Sequence, residues 1–123
     1  MKKKILVVDD ETDITLSIKN GLTRKGFDVD TFNDPVTALE NYHAGQYDLL
    51  LLDIRMPKMN GFELCREIKK KDEAVRVCFF TAFEVYYDEF KKIFPNLEVK
   101  CFIRKPITIS ELVSHINSEM GIS

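Results

Sequence analysis

Acidic, hydroxyl and amine side chains follow four of the short apolar runs in this chain. Asp9 and Asp10 come after the first run, Asp53 after the third, Thr81 after the fourth and Lys105 after the fifth. Such runs are typical of strands buried in a parallel sheet. Ligands of an open parallel sheet bind outside the carboxyl ends of its strands. We therefore expect these five residues to meet in one crevice.

The residue types in this set suit phosphoryl chemistry. Three carboxylates in one pocket repel one another, so they either hold protons or bind a cation. Mg²⁺ takes oxygen ligands and is commonly held by one or two carboxylates, waters and a phosphate. Mg²⁺ and Lys105 would neutralise a phosphoryl group, and Thr81 would donate a hydrogen bond to it. Asp53 stands alone at the end of the central strand, and we expect it to be the nucleophile.

Taken singly, each of these residues has a simpler explanation. Asp53 and the Asp9-Asp10 pair are residue types that cap helices and form turns. Lys105 before Pro106 could be a surface lysine, and Thr81 an ordinary residue at the end of a strand. Their shared position at the ends of different predicted strands favours the functional interpretation.

Composition indicates one globular domain. The chain has 123 residues, 45% hydrophobic and 31% charged, with a net charge of −2, which does not suggest nucleic-acid binding. We see no apolar run of membrane-spanning or signal-peptide length. Cys65, Cys78 and Cys101 are odd in number and lack a CxxC spacing. We expect them to be reduced thiols in the core of a cytoplasmic protein.

Strand and helix signals alternate along the chain. Strands are predicted at residues 4–8, 27–32, 47–52, 75–80 and 99–103, and helices at 12–25, from Pro35 to near Gly45, from Asn60, at 84–94, and from Thr108 to about Met120. Thr12 or Asp13 is the expected cap of the first helix. This alternation predicts an α/β fold with a doubly wound, five-stranded parallel sheet. The flavodoxin-like order 2-1-3-4-5 suits it, with five helices covering both faces.

Four segments together resemble a known family. They are ILVVDDE at 5–11, LLDIRMPKMNG at 51–61, FTA at 80–82 and FIRKP at 102–106. On these motifs the whole chain, residues 1–123, resembles one receiver domain of the two-component response regulators, similar to the chemotaxis response regulator.

The resemblance implies a phosphorylation-controlled switch. A sensor histidine kinase or phosphotransfer protein would donate a phosphoryl group to Asp53. Asp10, Asp53 and the backbone carbonyl of Arg55 would ligate Mg²⁺, with Asp9 acting through a water. A cis peptide bond between Lys105 and Pro106 is also implied. The chain would be no enzyme beyond phosphorylating itself from donors and slowly losing the group.

The resemblance also implies how the signal leaves the site. As Thr81 moves toward the phosphoryl group, the ring of Phe102 would turn inward. This would alter the output surface, which we define as the fourth predicted helix, the fifth strand and the last helix. An unidentified partner, or a second copy in a homodimer, would bind there. The family gives this chain no membrane contact and no direct nucleic-acid contact.

The chain departs from the family pattern between Thr81 and Lys105. This stretch is about two residues longer than usual and rich in aromatic residues, namely Phe83, Tyr86, Tyr87, Phe90 and Phe94. Some of these rings belong to the core, and others could form a partner contact. Arg55 and Phe83 follow the acceptor and the threonine by two positions. Their bulk predicts a long-lived phosphorylated state.

Three other functions remain as alternatives. A phosphatase of the haloacid dehalogenase type would want an aspartate where Arg55 stands. An electron carrier on the same fold would need a phosphate loop where the acidic Asp9-Asp10 pair stands. The chain could also be the receiver part of a longer DNA-binding transcriptional regulator, whose DNA contacts would come from residues outside it.

Overall fold

A parallel sheet of five strands forms the centre of the molecule. The computed structural model describes residues 2–82, 91–92, 95 and 101–122. The strands are β1 (Lys4–Val8), β2 (Asp28–Phe32), β3 (Leu49–Asp53), β4 (Arg76–Thr81) and β5 (Cys101–Arg104). Their order is β2-β1-β3-β4-β5 and all neighbours are parallel, which confirms the predicted topology. The chain reverses its direction across the sheet between β1 and β3, where a crevice is expected.

Helices cover both faces of this sheet. Those described are α1 (Thr12–Arg24), α2 (Pro35–Glu40), α3 (Gly61–Lys71) and α4 (Ile109–Met120). The helix predicted at 84–94 lies outside the described residues except for positions 91 and 92, which are helical, and the strand predicted at 99–103 is described only from residue 101. Across the ranges that the structure describes, no helix is both long and apolar enough to cross a bilayer.

The core lies on both sides of the sheet, because successive strand residues point to opposite faces. Leu50 and Leu52 of β3 pack on the side of α2 and α3, whereas Leu49 and Leu51 pack on the side of α1 and α4. All four are fully buried. Burial on both faces explains why the strands are almost continuously apolar.

The predicted cap of α1 and the predicted end of α2 are wrong. Glu11 is the N-terminal cap of α1, and its side chain makes no capping hydrogen bond, so neither Thr12 nor Asp13 is the cap. α2 ends at Glu40 rather than near Gly45. Beyond Glu40 the chain is held by contacts with a distant residue, because the Tyr42 hydroxyl and the Gly45 N–H both donate to the Asp72 carboxylate, at 2.7 and 3.2 Å.

The expectation of three reduced thiols is also wrong. Cys78 of β4 and Cys101 of β5 are register partners and are joined by a disulfide. Their Cα atoms are 4.6 Å apart although the residues are separated by 23 positions in sequence. This pairing follows from strand register, which the spacing of the cysteines in the sequence does not reveal. Cys65 is a free, buried thiol, as expected.

Candidate functional site

The three acids meet at the carboxyl edge of the sheet. β1 pairs with β3, with Val8 opposite Leu52, so Asp9 and Asp53 follow side by side. One carboxylate oxygen from each of Asp9, Asp10 and Asp53 lies within 4.8 Å of the other two. Asp9 and Asp53 are buried and Asp10 is exposed. The strand order therefore brings these acids together, as the sequence predicts.

Lys105 supplies the positive charge of this cluster. Its Nζ donates to Asp9 Oδ2 at 2.6 Å and lies 3.7 Å from Asp53 Oδ1. The same amine is 4.3 Å from the centre of the Phe80 ring. The backbone N–H of Lys105 donates to the carbonyl of Thr81 at 2.9 Å, which extends the contact between β4 and β5. The Lys105–Pro106 bond is cis, as the resemblance implies.

The environment of Asp53 disfavours its charged form. Burial and the neighbouring Asp9 carboxylate raise its pKa from the ordinary 3.8 to about 6, and Asp10 adds to this. The Lys105 cation and the backbone N–H of Ile54 act in the opposite direction. Ionised Asp53 is thus short of positive charge, and a bound cation would relieve the repulsion.

The loop between β3 and α3 fixes the backbone around Asp53. The Ile54 N–H donates to Asp53 Oδ1 at 2.9 Å, and the Gly61 N–H donates to the Ile54 carbonyl at 2.8 Å. A Cβ atom on Gly61 would collide with the backbone carbonyl oxygen of Asp53. Asn60 and Glu63 form a capping box at the start of α3, the helix predicted from Asn60. Helix α3 therefore begins in direct contact with the backbone of Asp53 and Ile54.

Thr81 and Phe102 lie on the sheet face that α2 and α3 cover. Thr81 is the buried last residue of β4, two positions after Phe79 and so on the same face. The Phe102 ring stacks on Phe79, its register partner, with 5.6 Å between ring centres. Arg55 lies exposed in the loop after Asp53. Phe83 and the other aromatic residues named between positions 83 and 94 lie outside the described residues.

Sequence reasoning missed Asn33. This residue follows β2, and its side-chain amide donates to the backbone carbonyl of Asp9. The two residues are 24 positions apart. The pairing of β1 with β2 is the only signal that could have placed Asn33 beside the acids.

The fold and the acidic crevice are those of a receiver domain. Residues 5–117 match the family model of the response regulator receiver domain, and the chain belongs to that family. It is accordingly a phosphorylation-controlled switch of the two-component class.

Curated relatives share this similarity along most of the chain. The alkaline phosphatase synthesis transcriptional regulatory protein PhoP of Bacillus subtilis is 32% identical over 96% of this chain and 48% of PhoP. The response regulator ArlR of Staphylococcus saprophyticus is 33% identical over 94% of this chain and 51% of ArlR. The chain thus spans about half the length of these relatives.

Solved structures agree with this assignment. The response regulator TrrA of Thermotoga maritima, in complex with Mg²⁺-BeF, superposes with a TM-score of 0.80 and 32% identity, covering 94% of this chain and 97% of TrrA. A response regulator receiver domain protein from Methanospirillum hungatei gives a TM-score of 0.83 and 27% identity, covering 98% and 95% of the two chains.

Proposed function

We propose that Asp53 accepts a phosphoryl group from a phosphohistidine of a sensor histidine kinase or phosphotransfer protein. A carboxylate oxygen of Asp53 forms a bond to phosphorus while the bond from phosphorus to the imidazole nitrogen breaks, and that electron pair leaves with the imidazole. The observation that carries the proposal is the convergence of three carboxylates and one amine in a single crevice. Phosphoryl transfer requires little more than positioning and charge stabilisation.

The donor set of the crevice fits Mg²⁺. Its potential ligands are carboxylate oxygens, which hard divalent cations prefer. Burial and the neighbouring Asp9 carboxylate raise the pKa of Asp53, and a cation between these acids would offset both effects. Asp10, Asp53 and the Arg55 backbone carbonyl would hold the ion, with Asp9 acting through a water. When bound, the ion would neutralise negative charge on the phosphoryl oxygens. The Mg²⁺-BeF in TrrA supports this choice of cofactor.

The chain acts as a switch, with no catalytic turnover beyond self-phosphorylation and slow dephosphorylation. The proposed signal runs from Thr81 to Phe102, and their common sheet face supports this route. It ends at the output surface, which includes β5 and α4. A partner protein or a second copy of the chain would bind there. Arg55, together with Phe83, would shield the phosphorylated state and make it long-lived.

A groove beside Lys105 offers a place for the histidine-bearing partner. It lies between α1 and α4, has a volume of about 410 Å³ and is lined mainly by apolar side chains such as Ile14, Ile18 and Ile109. Leu16 of α1 is 56% exposed. An exposed apolar residue on the helix that forms one side of this groove, whose lining includes Lys105, suits a transient protein contact.

A second candidate function is that this chain is the receiver domain of a longer transcriptional regulator. The matched relatives are about twice as long as this chain, and one of them is named a transcriptional regulatory protein. In this case residues 1–123 form one receiver domain, and DNA contacts come from another domain. Arg55 argues against a phosphatase of the haloacid dehalogenase type, which would want an aspartate there. The acidic Asp9-Asp10 pair argues against an electron carrier, which would need a phosphate loop there.

The proposed partners imply a cytoplasmic chain. Disulfides are uncommon in that compartment. The Cys78–Cys101 bond therefore stands against this location, while the free Cys65 agrees with it.

The test is incubation with acetyl phosphate and Mg²⁺, followed by intact mass measurement. Wild type should gain one phosphoryl group, and Asp53→Asn should gain none. Asp34→Asn is the matched control, because Asp34 is the N-terminal cap of α2, outside the acidic cluster. It should be phosphorylated like wild type. An adduct in Asp53→Asn, or one formed equally without Mg²⁺, would refute the proposal.

A further inference from the structure

Asn33 joins two backbone segments beneath the acidic cluster. Its Nδ2 donates to the backbone carbonyl of Asp9 and to Oγ1 of Thr15, both at 2.9 Å. Asp9 is 0% exposed and Thr15 is 2% exposed. Asn33 itself is exposed, so its side chain reaches inward from the surface to two buried groups. One amide nitrogen therefore connects the end of β1 with the first turns of α1.

The connected segment is the turn that carries Asp10. Thr15 Oγ1 donates to the Thr12 carbonyl at 3.0 Å, which ties the amide contact to the start of α1. On the other side, the Asp9 N–H donates to the Phe32 carbonyl at 3.2 Å. The backbone of Asp9 is thus hydrogen-bonded to two consecutive residues: its N–H donates to Phe32, and its carbonyl accepts from Asn33. Both ends of the turn are fixed against the end of β2.

Asp10 depends on this turn for its position. Its side chain is exposed, so the surrounding backbone rather than burial determines where the carboxylate lies. Outer-shell hydrogen bonds of this kind orient metal ligands, and their loss weakens metal binding. We propose that Asn33 is a positioning residue, whose amide sets the distance between the Asp10 and Asp53 carboxylates for Mg²⁺. This inference rests on the proposed function, because it requires these acids to bind the ion.

The test is an NMR titration of folded wild type and folded Asn33→Ala with Mg²⁺, which measures the dissociation constant of each protein for the ion. The dissociation constant for Mg²⁺ should rise about tenfold, the lower end of the range for outer-shell partners. At saturating Mg²⁺ the rate of phosphorylation by acetyl phosphate should return to that of wild type, because Asn33 does not touch the reacting atoms. Thr15→Val keeps the Asn33–Asp9 bond and should weaken Mg²⁺ binding less.

Asn41→Ala is the matched control. The Asn41 amide donates to the Thr37 carbonyl at 2.8 Å on α2, outside the acidic cluster, and its loss should leave Mg²⁺ binding unchanged. The inference fails if Asn33→Ala loses stability but binds Mg²⁺ like wild type, or if Asn41→Ala weakens binding equally. If wild type and Asp53→Asn bind Mg²⁺ equally, the proposed function itself fails, and this inference with it.

Discussion

The amine of Lys105 lies closer to Asp9 than to Asp53. Its Nζ is 2.6 Å from Asp9 Oδ2 and 3.7 Å from Asp53 Oδ1. Asp9 is fully buried, so this contact neutralises a carboxylate that water cannot reach. A phosphoryl group on Asp53 would therefore compete with Asp9 for the same amine.

Replacing Lys105 by alanine should make Asp53 a weaker acid. The pKa of Asp53 should rise above about 6, because the Lys105 cation is the main group that lowers it. The free energy of unfolding should fall by about 3 kcal/mol, since the buried Asp9 loses its partner. NMR titration of the Asp53 carboxyl group measures the first effect. Lys105→Arg keeps the charge and should largely preserve the wild-type pKa; an unchanged pKa in the alanine variant would contradict the geometry.

Asp53→Asn should stabilise the protein without Mg²⁺ at neutral pH. The folded-state pKa of about 6 exceeds the ordinary 3.8, so the folded state binds the Asp53 proton more tightly than the unfolded state does. Ionised Asp53 therefore lowers stability above pH 6, by on the order of 2–3 kcal/mol, and this cost vanishes as the pH falls toward 4. Urea unfolding should show the variant's advantage at pH 7.5 and a smaller one at pH 4.5. A variant less stable than wild type at pH 7.5 would show that the raised pKa is wrong.

Gly61→Ala should disturb the acceptor. Its Cβ would overlap the backbone carbonyl oxygen of Asp53, and backbone atoms cannot turn aside. We expect a loss of about 1–3 kcal/mol in unfolding free energy. The rate of phosphorylation by acetyl phosphate should also fall, because Asp53 must shift. Gly21→Ala is the control, since the atoms nearest its Cβ would be those of the Ile109 side chain, which lies outside the acidic cluster. Equal effects of the two variants on phosphorylation would rule out a specific role for Gly61.

Phe102→Trp should report the switch by fluorescence. The chain contains no tryptophan, so the new indole would be the only one. It would replace a ring stacked on Phe79, and the proposed inward turn would change its surroundings. Emission should change when Mg²⁺ and beryllofluoride are added, and it should stay constant in the double variant with Asp53→Asn. A constant emission in the single variant, with binding verified by NMR, would argue against movement of this ring.

Leu16→Ala should slow phosphoryl transfer from a protein donor but not from a small-molecule donor. Leu16 is exposed on α1, the helix that forms one side of the groove between α1 and α4. Its loss should slow transfer from a phosphorylated histidine domain about fivefold, the effect of losing ~1 kcal/mol of contact. The rate with acetyl phosphate should not change. Ile122→Ala, at the other exposed large apolar residue described, should affect neither rate. If Leu16→Ala accepts the phosphoryl group from the protein donor as fast as wild type does, the donor does not bind at this surface.

Local sequence patterns predicted the parts of this fold that depend on burial and chain order. Continuous apolar runs marked the strands, and the doubly wound order then placed Asp9 beside Asp53. What was missed depends on contacts between residues distant in sequence. The Cys78–Cys101 bond needs the register of β4 and β5, and the amide of Asn33 reaches Asp9 only because β2 pairs with β1. Beyond the early end of α2, the contacts of Tyr42 and Gly45 with Asp72 likewise join residues distant in sequence, which the helical pattern does not show.

The crevice is assembled from residues at the carboxyl ends of β1, β3, β4 and β5, whereas the groove proposed for a donor is formed largely by side chains of α1 and α4. Apart from Lys105, which belongs to both, the proposed chemistry and the proposed recognition therefore use different elements. Substitutions on α1 or α4 can change the partner while the acceptor and its neighbouring charges stay in place. During evolution, a few surface substitutions could therefore change which sensor kinase phosphorylates this switch, and each variant along the way could still accept a phosphoryl group.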